Sequence, residues 1–86
     1  MKYAAFIRYG NSDQIATVRP RHREYLGSLK EQGKLAASGP FTDDSGALII
    51  YEAESEAEAR ALIQADPFRQ AGVFQEIELT EWRQVF

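Results

Sequence analysis

Apolar and polar side chains interleave through the opening run KYAAFIRY, positions 2–9, which Gly10 and Asn11 bring to an end. Aromatic and branched residues bounded by turn formers predict a first strand. On it Tyr3, Ala5, Ile7 and Tyr9 point one way, while Ala4, Phe6 and Arg8 point the other. After the polar stretch GNSDQ the period lengthens. Val18, His22, Tyr25 and Leu29 follow at steps of four, three and four, with Leu26 alongside, and together they form one face of a helix. Proline is tolerated in the first turn of a helix, so Pro20 predicts a start near residues 17–20. Gly33 predicts its end.

KLAASGPF, 34–41, predicts a second strand. Its Pro40 cannot donate to a ladder, which places the strand at a sheet edge. TDDSG is a hairpin turn, and ALIIYEA, 47–53, is a third strand whose nearly unbroken apolar run predicts a central place. SEAE, 55–58, reads as a capping box that opens a second helix running to about Ala65, with Ala59, Leu62 and Ile63 inward. Asp66, Pro67 and Gly72 fit a short extra helix as N-cap, first residue and stop. VFQEIELTEWRQVF, 73–86, predicts the fourth strand.

The order β-α-β-β-α-β is the ferredoxin-like α+β arrangement: a four-stranded antiparallel-mixed sheet with strands one and three in the middle and helices on one face. Both helices are expected to run the same way across the sheet. That would set His22, early in the first helix, and Asp66, beyond the second, toward opposite ends. Their meeting would then require a short second helix, a fold-back of 66–72, or a neighbouring subunit. The other sheet face is also apolar and has no helix to cover it. Such a patch marks a partner surface, and a second copy packed sheet to sheet in a homodimer is the simplest partner.

Composition narrows the chemistry. A chain of 86 residues predicts one domain, 1–86, small enough to need a stabilising partner. It has no cysteine, which excludes disulfides and thiolate catalysis, and one histidine, which excludes a His-rich metal site in one subunit. A net charge of −3 argues against a nucleic-acid partner, and Arg19, Arg21 and Arg23 are too few to cover a phosphate backbone. The longest apolar run, in ALIIY, is too short to span a membrane, and MKYAAFIRYG lacks a signal-peptide core; a cytoplasmic location is expected.

His22 lies on the sheet-facing stripe beside Tyr25 and Leu29, and two readings are open. It is a core histidine with one nitrogen bonded, or it is a general acid–base group at a cleft, since imidazole exchanges protons near neutral pH. Asp66 is a helix cap, a role compatible with holding a histidine, because a capping carboxylate is fixed and anionic. In SGPF, 38–41, glycine and proline interrupt an edge strand, either as a protective bulge or as backbone free to meet a ligand. Nothing places a base within reach of Ser38, so it is not read as a nucleophile. Arg8 is expected to pair with Glu76 or Glu78 of the neighbouring strand rather than bind an anion.

In combination, His22 within RPRHREYL, GKLAASGPF at 33–41, SEAEAR at the second helix and DPFRQAGVF at 66–74, with Trp82, resemble the YCII family of small ferredoxin-like proteins. The resemblance spans nearly the whole chain in order. It implies a dimeric α+β barrel and a site of one histidine and one aspartate, carried over to His22 and Asp66. It implies a cofactor-independent, metal-free enzyme that eliminates from or isomerises a small phenolic or halogenated substrate. Ser38, Gly39, Pro40, Phe41, Arg8 and Phe68 are then the candidate substrate-binding residues. The rival readings are a non-catalytic ligand-binding or accessory dimer in the same cleft, and a purely structural dimerisation module.

Overall fold

A computed structural model describes residues 1–86. Its strands are β1 (Lys2–Tyr9), β2 (Leu35–Pro40), β3 (Gly46–Glu52) and β4 (Phe74–Trp82), and its helices α1 (Ile15–Glu31), α2 (Glu56–Gln64) and α3 (Pro67–Gln70). They form one sheet in the order β2-β3-β1-β4, with β2 at an edge and β1 and β3 central. Every neighbouring pair is antiparallel. The helices cover one face, as the split βαβ order requires.

This topology corrects the expected helix directions. Each crossover helix returns the chain, so α1 opposes β1 and α2 opposes β3. Because β1 and β3 are themselves antiparallel, α1 and α2 run in opposite directions. The first half of α1 and the end of α2 therefore lie at the same end of the sheet, and no partner subunit is needed to bring their residues together.

Helix α1 begins earlier than its proline predicts. A 3-10 turn at Ser12–Gln14 leads into Ile15, and Pro20 lies inside the helix. Pro20 and Ala16 are both on the exposed face. The carbonyl of Ala16, deprived of its i+4 donor, thus faces solvent. The extra turn buries Val18 and packs Ile15 on the core, and burial of one aliphatic side chain is worth about 1.5–3 kcal/mol.

The helix stops are set by hydrogen bonds. Gly33, at φ 75°, donates to the Lys30 carbonyl, and the amide of Lys34 donates back to Leu29 at 2.8 Å. Gly72, at φ 79°, repeats the arrangement: it donates to Arg69, and Val73 donates to Phe68 at 2.8 Å. This pair of bonds is a Schellman motif, whose turning residue needs a left-handed backbone that glycine adopts without penalty. Ser55 caps α2 by accepting from the amide of Glu58 at 3.1 Å.

The core lies between the sheet and the helices. Ala5, Ile7, Ile49, Tyr51, Val18, Leu26, Leu29, Ile63, Phe68, Val73 and Phe74 form its main cluster. On the other face Phe6, Phe41 and Trp82 remain exposed. Arg8 lies on that face and pairs with Glu76 at 4.0 Å. Both side chains are largely in solvent, so the pair contributes little. The fourth strand ends at Trp82 rather than continuing to residue 86, because Lys2, at the start of β1, is the last residue available to pair with it.

A Cβ on Gly46 would collide with the carbonyl oxygen of Ile7 in the central ladder, whereas one on Gly27 would meet open space. Gly46→Ala is expected to destabilise the protein by about 1–3 kcal/mol through overpacking. Gly27→Ala should stabilise it by about 0.5–1 kcal/mol through lowered chain entropy. Denaturant unfolding of the two variants checks both signs.

Candidate active site

The period of α1 turns His22 toward the sheet, and the stop of α2 at Gln64 frees Asp66 to begin a new helix beside it. Asp66 is fully buried and His22 is 7% exposed. Oδ1 of Asp66 accepts from the amide of Phe68 at 2.8 Å, which caps α3. His22 Nδ1 lies 2.8 Å from Oδ1 and 2.9 Å from Oδ2 of the same carboxylate. One side chain thus starts a helix and holds a ring.

This contact fixes the imidazole. A carboxylate has only lone pairs to offer, so Nδ1 carries the proton and donates it. In the neutral ring the remaining lone pair is on Nε2. The ring is also clamped by its neighbours. Phe68 stacks on it with centroids 4.0 Å apart and planes at 12°, and Phe74 meets it edge-on at 5.7 Å. Arg69 donates to the Phe74 carbonyl and Asn11 to that of Ala71, each at 2.7 Å, pinning the segment that carries Phe68.

His22 forms part of the wall of a cleft of about 240 Å³ with Tyr9, Arg19, Arg23, Leu26, Ser38, Gly39, Pro40, Ala47 and Phe68. Of the expected substrate-binding residues, Ser38, Gly39, Pro40 and Phe68 are therefore beside the ring. Arg8 and Phe41 are not. They line a separate hollow of about 450 Å³ on the open sheet face, with Phe6, Glu76 and Glu78. Strand alternation sends Arg8 away from the helix side, and Phe41 follows the last residue of β2, with its amide donating to the Gly46 carbonyl at 2.8 Å. The SGPF segment is not the bulge: the irregularity in β2 falls between Leu35 and Ala37, and Gly39 and Pro40 pair with Leu48 and Ala47.

Sequence reasoning missed Tyr9, Arg19 and Arg23 as cleft residues. The signal was present at helical spacing, since Arg19, His22, Arg23 and Leu26 share a face of α1. Two tyrosines feel the carboxylate. Burial pushes the Tyr25 phenol up, with a further contribution from the charge of Asp66, and its hydroxyl donates to the Leu62 carbonyl at 2.6 Å. Burial, then Asp66, then Tyr25 push the Tyr51 phenol up strongly. Its hydroxyl is buried without a hydrogen-bond partner. Both phenols stay protonated. No group of three or more His, Cys, Asp or Glu side chains assembles to hold a metal ion, and no helix is long and apolar enough to cross a membrane.

A ferredoxin-like α+β sheet with a carboxylate-held histidine at an open cleft defines the class. The particular family follows from comparison with known proteins. Residues 1–83 match the model of the YCII-related domain, and the chain belongs to that family. It is 34% identical over 80 residues to Protein YciI of Escherichia coli O6:H1, a match covering 81% of this chain and 82% of that one. It is 36% identical over 62 residues to Uncharacterized protein YjpA of Bacillus subtilis, covering 72% of each. Among solved structures it resembles 5-chloro-2-hydroxyhydroquinone dehydrochlorinase, TftG, of Burkholderia phenoliruptrix in complex with 2,5-dihydroxybenzoquinone. That match has a TM-score of 0.84 and 28% identity, covering 96% of this chain and 94% of the other.

Asp66→Asn keeps an acceptor for the Phe68 amide but loses the charge that holds Nδ1–H. The variant is expected to fold with about 1–3 kcal/mol less stability. The nitrogen-15 shifts of the imidazole should change from one tautomer, protonated at Nδ1, to a mixture. A neutral ring protonated mainly at Nε2 in the unsubstituted protein would contradict the geometry.

Proposed function

We propose that this protein is a small acid–base enzyme in which His22 Nε2 removes a proton from a small phenolic or halogenated substrate in the cleft. Asp66 holds the tautomer and balances the imidazolium that forms. In an elimination the proton goes to Nε2, the electron pair of the broken bond moves into the ring system, and a halide leaves with its bonding pair. The imidazolium then releases its proton to solvent. In an isomerisation the same nitrogen returns the proton to another atom of the substrate.

One observation carries this reading: Asp66 occupies Nδ1 and leaves Nε2 as the free lone pair of a ring set in a cleft wall. A core histidine with one nitrogen bonded would have no place in the wall of a cleft, and His22 has one. The likeness to a dehydrochlorinase with a hydroxylated quinone supports the substrate class. Family membership and the absence of a competing acid in the cleft agree with it.

The test is a screen of chlorinated hydroquinones and phenols for halide release, followed by His22→Gln on any compound turned over. Loss of the base should lower the rate about 10²- to 10⁴-fold. Retention of full turnover would overturn the mechanism. Binding of such compounds with no turnover in the unsubstituted protein would favour a ligand-binding role instead.

The assembly is part of the same proposal: two copies pack by their open sheet faces. Phe6 is 47% exposed and Trp82 41%, on a face that this chain leaves uncovered. Exposed apolar area of this kind is expected to be buried in solution. Light scattering should give twice the chain mass, and Phe6→Arg should shift it toward the monomer. A monomeric unsubstituted protein at high concentration would remove the dimer from the proposal.

A further inference from the structure

The cleft carries a charge that the chain as a whole does not. The protein is acidic, with ten basic and thirteen acidic side chains, yet no acidic residue lines the hollow beside His22, and two arginines do. Arg19 is half-buried and Arg23 exposed, one helical turn apart on α1, with His22 between them. Neither makes an ion pair; the arginines that do are Arg8 with Glu76 and Arg60 with Glu56. Both cations act on the hydroxyl of Tyr9, on the same wall: burial raises that phenol, and Arg19 and Arg23 each oppose the rise. Asp44 and Asp66 also act on that hydroxyl, but neither lines the hollow or forms an ion pair with either arginine, so two guanidinium groups line the cleft without a direct counter-ion.

Guanidinium donors form a rigid fork that fits the paired oxygens of a carboxylate or the ionised oxygen of a phenol. The space between them and the ring is limited. A volume of about 240 Å³ falls below the common range of about 300–1,000 Å³ for small-molecule sites, which favours a one-ring compound. Tyr9, Phe68, Pro40 and Leu26 supply apolar wall on the remaining sides. A flat one-ring compound satisfies both demands.

We propose that Arg19 and Arg23 form an anion clamp and that the ligand of this cleft is a small planar organic anion, held by its ionised oxygen. This rests on the reading of the cleft as the site of proton transfer and names its substrate class. The clamp also has a role in the reaction. When Nε2 takes a proton, negative charge develops on substrate oxygen, and fixed cations beside it stabilise that charge more than they stabilise the ground state. Arg19 and Arg23 are then specificity-determining residues, and the overall acidity of the protein discourages anions from binding elsewhere.

Arg21 provides an internal control. It has the same charge and lies between the two clamp residues in sequence, but its side chain is outside the cleft, near Glu24, Tyr25 and Ser28. Binding of benzoate, 2,4-dinitrophenolate and the neutral isostere benzamide can be followed by NMR titration of the full-length protein and its variants. Arg19→Gln and Arg23→Gln should each weaken binding of at least one anion about tenfold or more, the loss of one charged hydrogen bond. Arg21→Gln should stay within about twofold, since an exposed charge at a distance is largely screened by salt. Benzamide should bind weakly and equally to all four proteins, and the two anions tell a carboxylate site from a phenolate site.

Equal losses in Arg21→Gln and Arg23→Gln, equal affinity for benzamide and benzoate, or no binding of either anion to the unsubstituted protein would each overturn the clamp. His22→Gln separates this inference from the mechanism. If that variant still binds the anions with the same arginine dependence but turnover is unaffected, the acid–base reading falls and the clamp stands. If it abolishes turnover while the arginine variants bind as before, the clamp falls alone.

Discussion

A single buried carboxylate organises this protein. Asp66 has no exposure to solvent, and an anion in such a place is tolerated only when it is fully hydrogen-bonded. Two partners meet that demand from different parts of the chain: the amide of Phe68, two residues on, and Nδ1 of His22, 44 positions back. The first bond starts α3 and the second ties α3 to α1. Removing either partner would leave a charge stranded in the core. The packing of α3 on α1 and the orientation of the imidazole are therefore consequences of one electrostatic requirement.

The same requirement separates the two nitrogens of the ring. Nδ1 of His22 is committed to Asp66, while the ring forms part of the wall of a cleft with Tyr9, Arg19 and Arg23. Phe68 reinforces this division, since it is the residue capped by Asp66 and also the ring stacked on the imidazole. Rigidity on one side and access on the other is the arrangement that proton transfer needs, because a base that wanders loses the geometry of attack. The phenols of Tyr25 and Tyr51, held protonated by burial first and by Asp66 next, do not compete for the role.

The two faces of the sheet divide the labour. The helix-covered face contains the core, the buried pair and the cleft; the open face contains Phe6, Phe41, Trp82 and the exposed Arg8–Glu76 pair. Strand alternation makes this division absolute, since adjacent residues such as Ile7 and Arg8 point to opposite sides. Arg8, read from its parity as lying on the Ala4 and Phe6 side and pairing with a glutamate of the next strand, does so with Glu76, in a different hollow from the imidazole. Phe41 misses the ring for another reason: it belongs to the SGPF motif in sequence, but it lies past the end of the strand that places Ser38, Gly39 and Pro40 beside the ring.

What the sequence determined by itself is local and periodic. Period-two and period-3.6 patterns specified the strands and helices. Pro40 put β2 at an edge, Ser55 and Asp66 marked two helix starts, and Gly33 and Gly72 marked two stops, because each of these depends on residues within a few positions of one another. His22 and Asp66 were visible as candidates from the motifs around them. Their contact was not, since it depends on the relative directions of α1 and α2, and a direction is a property of the whole sheet. Antiparallel pairing of β1 with β3 decided it and reversed the expected arrangement. Only the tertiary structure also revealed the unpaired arginines beside the ring: helical spacing can put Arg19 and Arg23 on one face, but whether an acid lies opposite is decided by elements far away in the chain.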